Sequence, residues 1–154
     1  MSERPRSLES RALACLARRE FSRSELRSRL APHAESAEAL EAVLDKLVSR
    51  KLLSEERFVE SLVRRRSSRF GSARIRQELR SHQVDAAQVR EVVQALDATE
   101  FERARDVWRK RFREAASTRE ERLKQMRFLA ARGFAAETIR RVVEGAGSVD
   151  PQDA

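Results

Sequence analysis

The sequence predicts an all-α protein made of three tandem three-helix repeats that form an elongated, modular array. The apolar residues of 26–47 recur 49 positions later in 75–96, and part of the pattern returns 50 positions after Leu79, at Leu129. Helix-start signals are frequent, whereas only four glycines and three prolines are present to punctuate strands. A period of this size indicates a supersecondary unit stacked in tandem, with long faces exposed to partners.

Nine helices follow from the apolar periodicity and the start signals. The N-cap candidates that have an acidic or amide residue three positions later are Ser22, Asp85, Thr99 and Thr118. The predicted helices span 7–18, 23–31, 37–50, 55–68, 72–81, 86–96, 100–115, 119–132 and 136–144. The repeats that contain them are 7–53, 54–97 and 98–145, and the tails 1–6 and 146–154 lack an apolar face and are expected to be disordered.

Apolar stripes and helix ends explain how each repeat would close. In 55–68 the side chains of Phe58 and Leu62 belong to one helical stripe, and Trp108 has that role in the third repeat. Gly133 followed by Phe134 is typical of a helix C-cap with its hydrophobic anchor. We therefore expect Trp108 to pack in a core rather than stack on a nucleic-acid base, and Phe70 and Phe134 to pack at helix junctions.

The composition favours an anionic partner. The 154 residues carry a net charge of +8 and 38% charged side chains, and the calculated pI is about 11.0. Such a balance indicates a polyanion or an acidic protein surface as partner. A single cysteine, a polar N-terminus and the lack of a long apolar run predict a cytoplasmic protein without disulfides, secretion signal or membrane contact.

Residues with catalytic potential are few and scattered. His33 and His82 lie at predicted helix ends without an i+4 partner, so solvated loop histidines are favoured over metal ligands. Cys15 lies on an apolar face and is expected to be a core thiol rather than a nucleophile. Gly71 and Gly133 are isolated and form no phosphate-binding loop. The sequence thus predicts a protein that is not an enzyme and that needs no cofactor.

Positive charge is concentrated from the middle of the chain onward. The net charge is +6 in 57–80 and +5 in 103–113, but only +2 in 8–53. We interpret the two basic stretches as contacts to phosphates or to an acidic protein groove, with an ordinary solvated surface as the alternative. A helix-turn-helix reader of duplex DNA is less well supported, because the third helix of each repeat shows no clear polar reading face.

Three stretches resemble a known family. They are RREFSRSELRSRL at 18–30, LLSEERFVESLVRRRSSRFGSARIRQEL at 52–79 and KQMRFLAARGF at 124–134. Their order and spacing are similar to the three signature regions of the RecX regulatory proteins. The resemblance departs from the usual pattern at Glu55, at Arg69 and at His82-Gln83, where local turns are affected.

The resemblance implies both a fold and an activity. It implies three three-helix repeats in a bacterial cytoplasmic protein that binds the RecA recombinase along its filament on single-stranded DNA. It also implies restraint of strand exchange and ATP hydrolysis in DNA recombination, repair and the SOS response. Some members of the family bind DNA directly, so a stand-alone DNA-binding protein is the alternative.

The expected partners are therefore a RecA-type filament and single-stranded DNA, with double-stranded DNA as a further candidate, and the chain is expected to act as a monomer. Charge density and the signature stretches indicate which residues meet the recombinase or the DNA. They are Arg64, Arg65, Arg66, Arg69, Arg74, Arg76, Arg109, Lys110, Lys124, Arg127 and Arg132. Whether they coat the filament groove or cap a filament end is left open by the sequence.

Overall fold

The protein is all-α in the computed structural model, which describes residues 4–146. Its α-helices are α1 (Leu8–Arg18), α2 (Arg23–Leu30), α3 (Ala37–Ser49), α4 (Glu55–Arg66), α5 (Ser72–Ser81), α6 (Ala86–Ala98), α7 (Glu100–Phe112), α8 (Arg119–Ala131) and α9 (Ala136–Gly145). A short 3-10 turn, Ala31–His33, follows α2. The predicted fold class is confirmed, and the predicted disordered tails lie mostly outside the described residues.

Side-chain caps determine where most of these helices begin. Ser22 Oγ accepts a hydrogen bond from the Glu25 amide at 3.1 Å, and Thr118 Oγ1 accepts one from the Glu121 amide at 3.1 Å. Asp85 accepts bonds from two amides of the first turn of α6. These bonds satisfy backbone donors that have no partner within the helix. The sequence therefore located these helix starts correctly.

Thr99 is the N-cap residue of α7, as predicted, but its side chain does not form the expected capping bond. No side-chain bond from Thr99 caps α7; its hydroxyl donates to the Leu96 carbonyl at 3.3 Å and accepts from Arg103 Nε at 3.1 Å. The α6–α7 connection is so short that Thr99 ends one helix and starts the next. At its other end α7 stops at Phe112 rather than at 115, because Arg113 adopts the left-handed φ of 63°.

The described residues form two compact units. Unit 1 contains 4–62 and 81–84, and unit 2 contains 63–80 and 85–146. The boundary divides α4, which lies in the second predicted repeat. The division into three repeats, and their elongated arrangement, stay predictions.

Each unit has its own core. The core of unit 1 consists of Ala12, Phe21, Leu26, Leu30, Leu40, Leu44, Leu47 and Leu53. Cys15 packs against this core, as the sequence predicts. The core of unit 2 includes Ala104, Val107, Trp108, Leu129, Phe134, Ile139, Val142 and Val143.

Trp108 lies in the core of unit 2, as predicted. Its side chain is only 6% exposed, and its indole N–H donates to Gln125 Oε1 at 2.9 Å. Because the one polar atom of the ring has an acceptor, burial leaves no unsatisfied donor.

Across residues 4–146, every helix is too short or too polar to cross a membrane.

Candidate partner-binding surface

A close contact between two backbone loops organises the basic side of unit 2. The Gly71 amide donates to the Arg132 carbonyl at 2.8 Å. A Cβ atom on Gly71 would lie 2.2 Å from the Gly133 carbonyl oxygen, and one on Gly133 would lie 2.6 Å from Arg74 Cβ. Gly133 also has a φ of +85°, which non-glycine residues rarely adopt. The two glycines therefore let the loops after α4 and α8 approach to backbone contact.

This approach gathers four guanidinium groups around one aromatic ring. The Cζ atoms of Arg74, Arg69, Arg66 and Arg132 lie 4.1, 5.6, 5.8 and 5.8 Å from the centroid of Phe70. We call these five residues the Phe70 cluster. All four distances are within the range of cation–π attraction. The four arginines were predicted as binding residues, but the sequence did not indicate that they meet on Phe70.

The Phe70 cluster keeps most of its positive charge. Arg66 Nη2 forms an ion pair with Glu78 at 3.1 Å, while Arg66 Nε is buried without a hydrogen-bond acceptor. Within residues 4–146, Glu78 is the carboxylate that the structure pairs with a member of the cluster. Four cations and one paired anion on a small surface make a site that attracts anionic groups.

Arg103 holds the loop that carries Phe70. Its Nη1 donates to the carbonyls of Ser67 at 2.9 Å and Phe70 at 2.8 Å, and its Nη2 donates to the Leu96 carbonyl at 2.9 Å. Burial lowers the pKa of Arg103, and the charge of Glu100 opposes this. One side chain thus holds three backbone carbonyls, of which that of Leu96 also accepts from Thr99. Sequence reasoning counted Arg103 only as part of a basic run.

Glu100 is a second organising residue that the sequence did not reveal. Its side chain is buried, and Oε1 accepts a hydrogen bond from the Ser72 amide at 3.1 Å. Its other oxygen accepts a bond from Thr138 Oγ1 at 2.9 Å. One carboxylate therefore caps the start of α5 and also holds α9. Its partners are 28 and 38 residues away, so no local pattern announces it.

A further aromatic pair adjoins the cluster through Arg132. The Cζ atom of Arg132 lies 4.6 Å from the centroid of Phe128, closer than its distance to Phe70. Phe128 meets Phe112 edge to face, with centroids 5.2 Å apart, and Arg111 lies 5.8 Å from the Phe128 centroid. Basic and aromatic side chains therefore alternate from α5 through α8 to α7.

The remaining predicted binding residues lie in unit 2 outside the Phe70 cluster. Lys110 lines an open cavity together with Ser67, Ser68, Arg103 and Asp106. Arg76 is half-buried on α5, and the others are exposed. The exposed residues are Arg64 and Arg65 on α4, Arg109 and Lys110 on α7, and Lys124 and Arg127 on α8. Their contact with a partner stays a prediction.

Several arginines of unit 1 are instead paired with carboxylates. Arg23 Nη2 lies 2.7 Å from both Glu41 and Asp45, and Arg27 Nε lies 2.6 Å from Glu41. Hydrogen bonds from Arg27 and then Arg23 lower the pKa of Glu41 to about 2. Arg57 pairs with Glu20 at 3.0 Å. This pairing leaves unit 1 a poorer candidate for an anionic partner.

His82, which belongs to unit 1, is not the solvated loop histidine that the sequence predicts. Its Nδ1 lies 3.0 Å from Ser22 Oγ, its carbonyl accepts a bond from Ser24 Oγ at 2.7 Å, and its ring meets Phe58 edge to face at 4.8 Å. The correction has a long-range cause, since Ser22 is 60 positions away. His33 is exposed. Among residues 4–146, no group of His, Cys, Asp and Glu is arranged to hold a metal ion.

Comparison with known proteins gives consistent matches. Family models described as the second and the third three-helix domain of RecX match 54–93 and 98–143. A protein of Ralstonia nicotianae named "Regulatory protein RecX" is 46% identical over 97% of this chain and 94% of its own length. One of Leptothrix cholodnii with the same name is 50% identical over 92% and 91%. The crystal structure of RecX from Lactobacillus salivarius shares the fold, with a TM-score of 0.75 at 19% identity over 92% of this chain and 96% of that one.

Proposed function

The chain belongs to the RecX family of regulatory proteins, and we propose that it regulates a RecA-type recombinase without being an enzyme. It binds the recombinase filament on single-stranded DNA and inhibits or modulates ATP hydrolysis, strand exchange and thereby recombinational repair. The observation that carries this proposal is the Phe70 cluster, where four guanidinium groups surround one ring and Arg66 is paired with Glu78.

Electrostatics explains how such a surface would find a nucleoprotein filament. A filament on DNA presents phosphates and acidic side chains, and a cationic patch steers association toward them. Arginine also gives bidentate contacts to carboxylate and phosphate. If the predicted repeats contact several subunits, each weak contact raises the effective concentration of the next. Modest local affinities then add up to stable occupancy.

Two inhibitory mechanisms follow from occupancy, and they differ in what they do to ATP turnover. A regulator that blocks the incoming duplex lowers strand exchange and leaves ATP hydrolysis unchanged. A regulator that restrains the movement of subunits lowers both activities. Measuring the two rates on the same filaments therefore separates the mechanisms.

The test is the single-stranded-DNA-dependent ATPase of the recombinase from the same organism, with and without this protein. Arg69→Glu combined with Arg74→Glu should raise the concentration needed for half-maximal effect by about tenfold or more. Arg18→Glu with Arg29→Glu is the matched control, because both side chains are exposed in unit 1 and the change in charge is the same. No effect of the wild-type protein on either ATPase or strand exchange would refute the proposed function.

A stand-alone DNA-binding protein is the second candidate function, because guanidinium groups bind phosphate as readily as carboxylate. This function would appear as DNA binding that weakens steeply with salt and is accompanied by no change in recombinase activity. The Phe70 cluster supports this second function if the cluster binds phosphates rather than a protein surface.

A further inference from the structure

Five side chains of unit 2 form a continuous row in which arginine and phenylalanine alternate. The order is Arg74, Phe70, Arg132, Phe128 and Arg111. Successive distances from guanidinium carbon to ring centroid are 4.1, 5.8, 4.6 and 5.8 Å. We call this row the Arg–Phe ladder. It joins α5, the loop between α4 and α5, the turn after α8, α8 and α7.

The ladder is open to solvent along its length. Arg74 and Arg111 are exposed, and Phe70, Arg132 and Phe128 are half-buried. Arg74 Nη1 reaches the Ala131 carbonyl at 3.5 Å, and Arg132 Nη1 reaches the Arg69 carbonyl at 3.4 Å. Both bonds are at the long limit, and each guanidinium has five N–H donors. Most of each planar cation therefore remains available to a ligand.

The rings also hold the guanidinium groups in position before a ligand arrives. A long arginine side chain loses rotamer entropy when it binds, and packing against an aromatic ring removes part of that loss beforehand. The outer face of a guanidinium that lies over a ring can then stack on another planar group, and its N–H edge can contact an oxyanion. The ladder thus offers planar surfaces and charge at alternating positions.

From this geometry we infer that the Arg–Phe ladder binds single-stranded nucleic acid, stacking with its bases as well as contacting its phosphates. An acidic peptide would use the charge of the ladder but none of its planar surfaces. A duplex has its bases stacked inside, so it would meet the arginines through phosphates alone. The inference rests on the proposed function, since it names the part of a nucleoprotein filament that this surface contacts.

The experiment measures binding of the isolated protein, without recombinase, by fluorescence anisotropy at fixed salt. The probes are a fluorescein-labelled oligothymidylate, an abasic oligonucleotide of the same length and phosphate number, and a duplex of that length. Wild-type protein should bind the oligothymidylate about tenfold more tightly than the abasic probe, since each stacked base adds appreciable affinity. The duplex should bind more weakly than the oligothymidylate.

Variants assign the difference to the ladder. Phe128→Leu should reduce the preference for base-bearing DNA to about twofold or less, and Phe128→Tyr, which keeps the ring, should retain it. Phe101→Leu is the matched control, because Phe101 is also half-buried in unit 2 and has Arg141 at 4.4 Å, but it lies outside the ladder. Arg74→Gln should likewise reduce the preference for base-bearing DNA. Because Arg74 is exposed, this substitution alters no ring that packs against the core.

Equal binding of the abasic and base-bearing probes by the wild-type protein would overturn the inference and indicate phosphate contacts alone. No binding of any DNA by the wild-type protein would also overturn it and would leave an acidic protein surface as the target of the ladder. Neither result depends on the ATPase assay, so failure here and failure of the proposed function are distinguishable.

Discussion

Selected arginines of the two units lie against different kinds of neighbour, carboxylates in unit 1 and phenylalanine rings in unit 2. In unit 1, Arg23 and Arg27 converge on Glu41, so the charge of the guanidinium groups is cancelled within the fold. In unit 2, Arg74 and Arg132 lie over phenylalanine rings, which hold the cations in place without neutralising them. The choice of neighbour, a carboxylate or an aromatic ring, therefore decides whether the charge of an arginine is neutralised within the fold or retained.

The helix junctions of the two units also differ, in the type of contact that joins their loops. Ser22 and His82 occupy positions that correspond, by the repeat, to Gly71 and Arg132. Unit 1 joins its loops through a contact between a hydroxyl and an imidazole at 3.0 Å, and unit 2 joins its loops through a backbone hydrogen bond at 2.8 Å. Only the closer approach in unit 2 brings arginines from both loops onto one ring. Four substitutions test this comparison.

The largest effect is expected when Gly71 of unit 2 is replaced by serine, the residue at the corresponding position, Ser22, of unit 1. Gly71→Ser places a Cβ atom 2.2 Å from the Gly133 carbonyl oxygen, a backbone atom that cannot move aside alone. The free energy of unfolding should fall by about 3 kcal/mol, as for severe overpacking. Urea denaturation measures it. Gly145→Ala is the control, because nothing lies within 4 Å of a Cβ atom there; equal stability of the two variants would contradict the close approach.

Removing the side chain that holds the Phe70 loop should cost somewhat less. Arg103→Met leaves the carbonyls of Ser67 and Phe70 without this donor and removes one of the donors to the Leu96 carbonyl, and we expect a loss of about 2–3 kcal/mol. Amide hydrogen exchange should accelerate at Gly71. Arg109→Met, an exposed substitution on the same helix, should change stability by less than about 0.5 kcal/mol. Unchanged exchange at Gly71 in Arg103→Met would show that the Phe70 loop keeps its conformation without Arg103.

The junction of unit 1 should respond more mildly. Ser22→Ala removes the acceptor for the Glu25 amide and the partner of His82 Nδ1. Loss of such a cap typically lowers stability by about 1 kcal/mol. Thermal unfolding measures the change against Ser28→Ala, an exposed position within α2, which should be neutral or slightly stabilising. A loss as large as that of Gly71→Ser would mean that the two junctions do not differ in tightness.

The smallest effect concerns the carboxylate network of unit 1 and depends on pH. The folded-state pKa of Glu41, about 2, is below its ordinary value of 4.5. Its contribution is therefore present above about pH 4.5 and is lost as the pH falls toward 2. Wild-type protein should be more stable than Glu41→Gln at pH 7 and equal to it near pH 2, as followed by urea denaturation. A constant difference at both pH values would contradict the shifted pKa.

Local signals in the sequence were sufficient for the helices. Caps such as Ser22 and Thr118 act within one turn, and the burial of Trp108 follows from its place in an apolar stripe. These features depend on residues three or four positions apart, which a single sequence displays directly. Helix ends were less accurate where the backbone decides, as at Arg113, whose left-handed conformation no side-chain pattern announced.

The candidate site could be predicted only in part. The basic runs indicated candidate arginines, but Arg132 reaches the Phe70 loop across 63 positions, a distance that no local pattern encodes. Glu100 and Arg103 were hidden for a related reason: a buried charged residue in a charged helix looks like any solvated one. What distinguishes them is the set of backbone groups that they satisfy, and this exists only in the folded chain.

Gln83 marks a position where unit 1 can be stabilised without changing unit 2. It adopts a φ of 58°, and the corresponding position in unit 2 is Gly133. A non-glycine residue in this conformation costs about 1 kcal/mol. Gln83 lies outside the Phe70 cluster and the Arg–Phe ladder. Replacing it with glycine should therefore stabilise unit 1 without changing the residues proposed to bind a partner, which would suit a variant made for crystallisation.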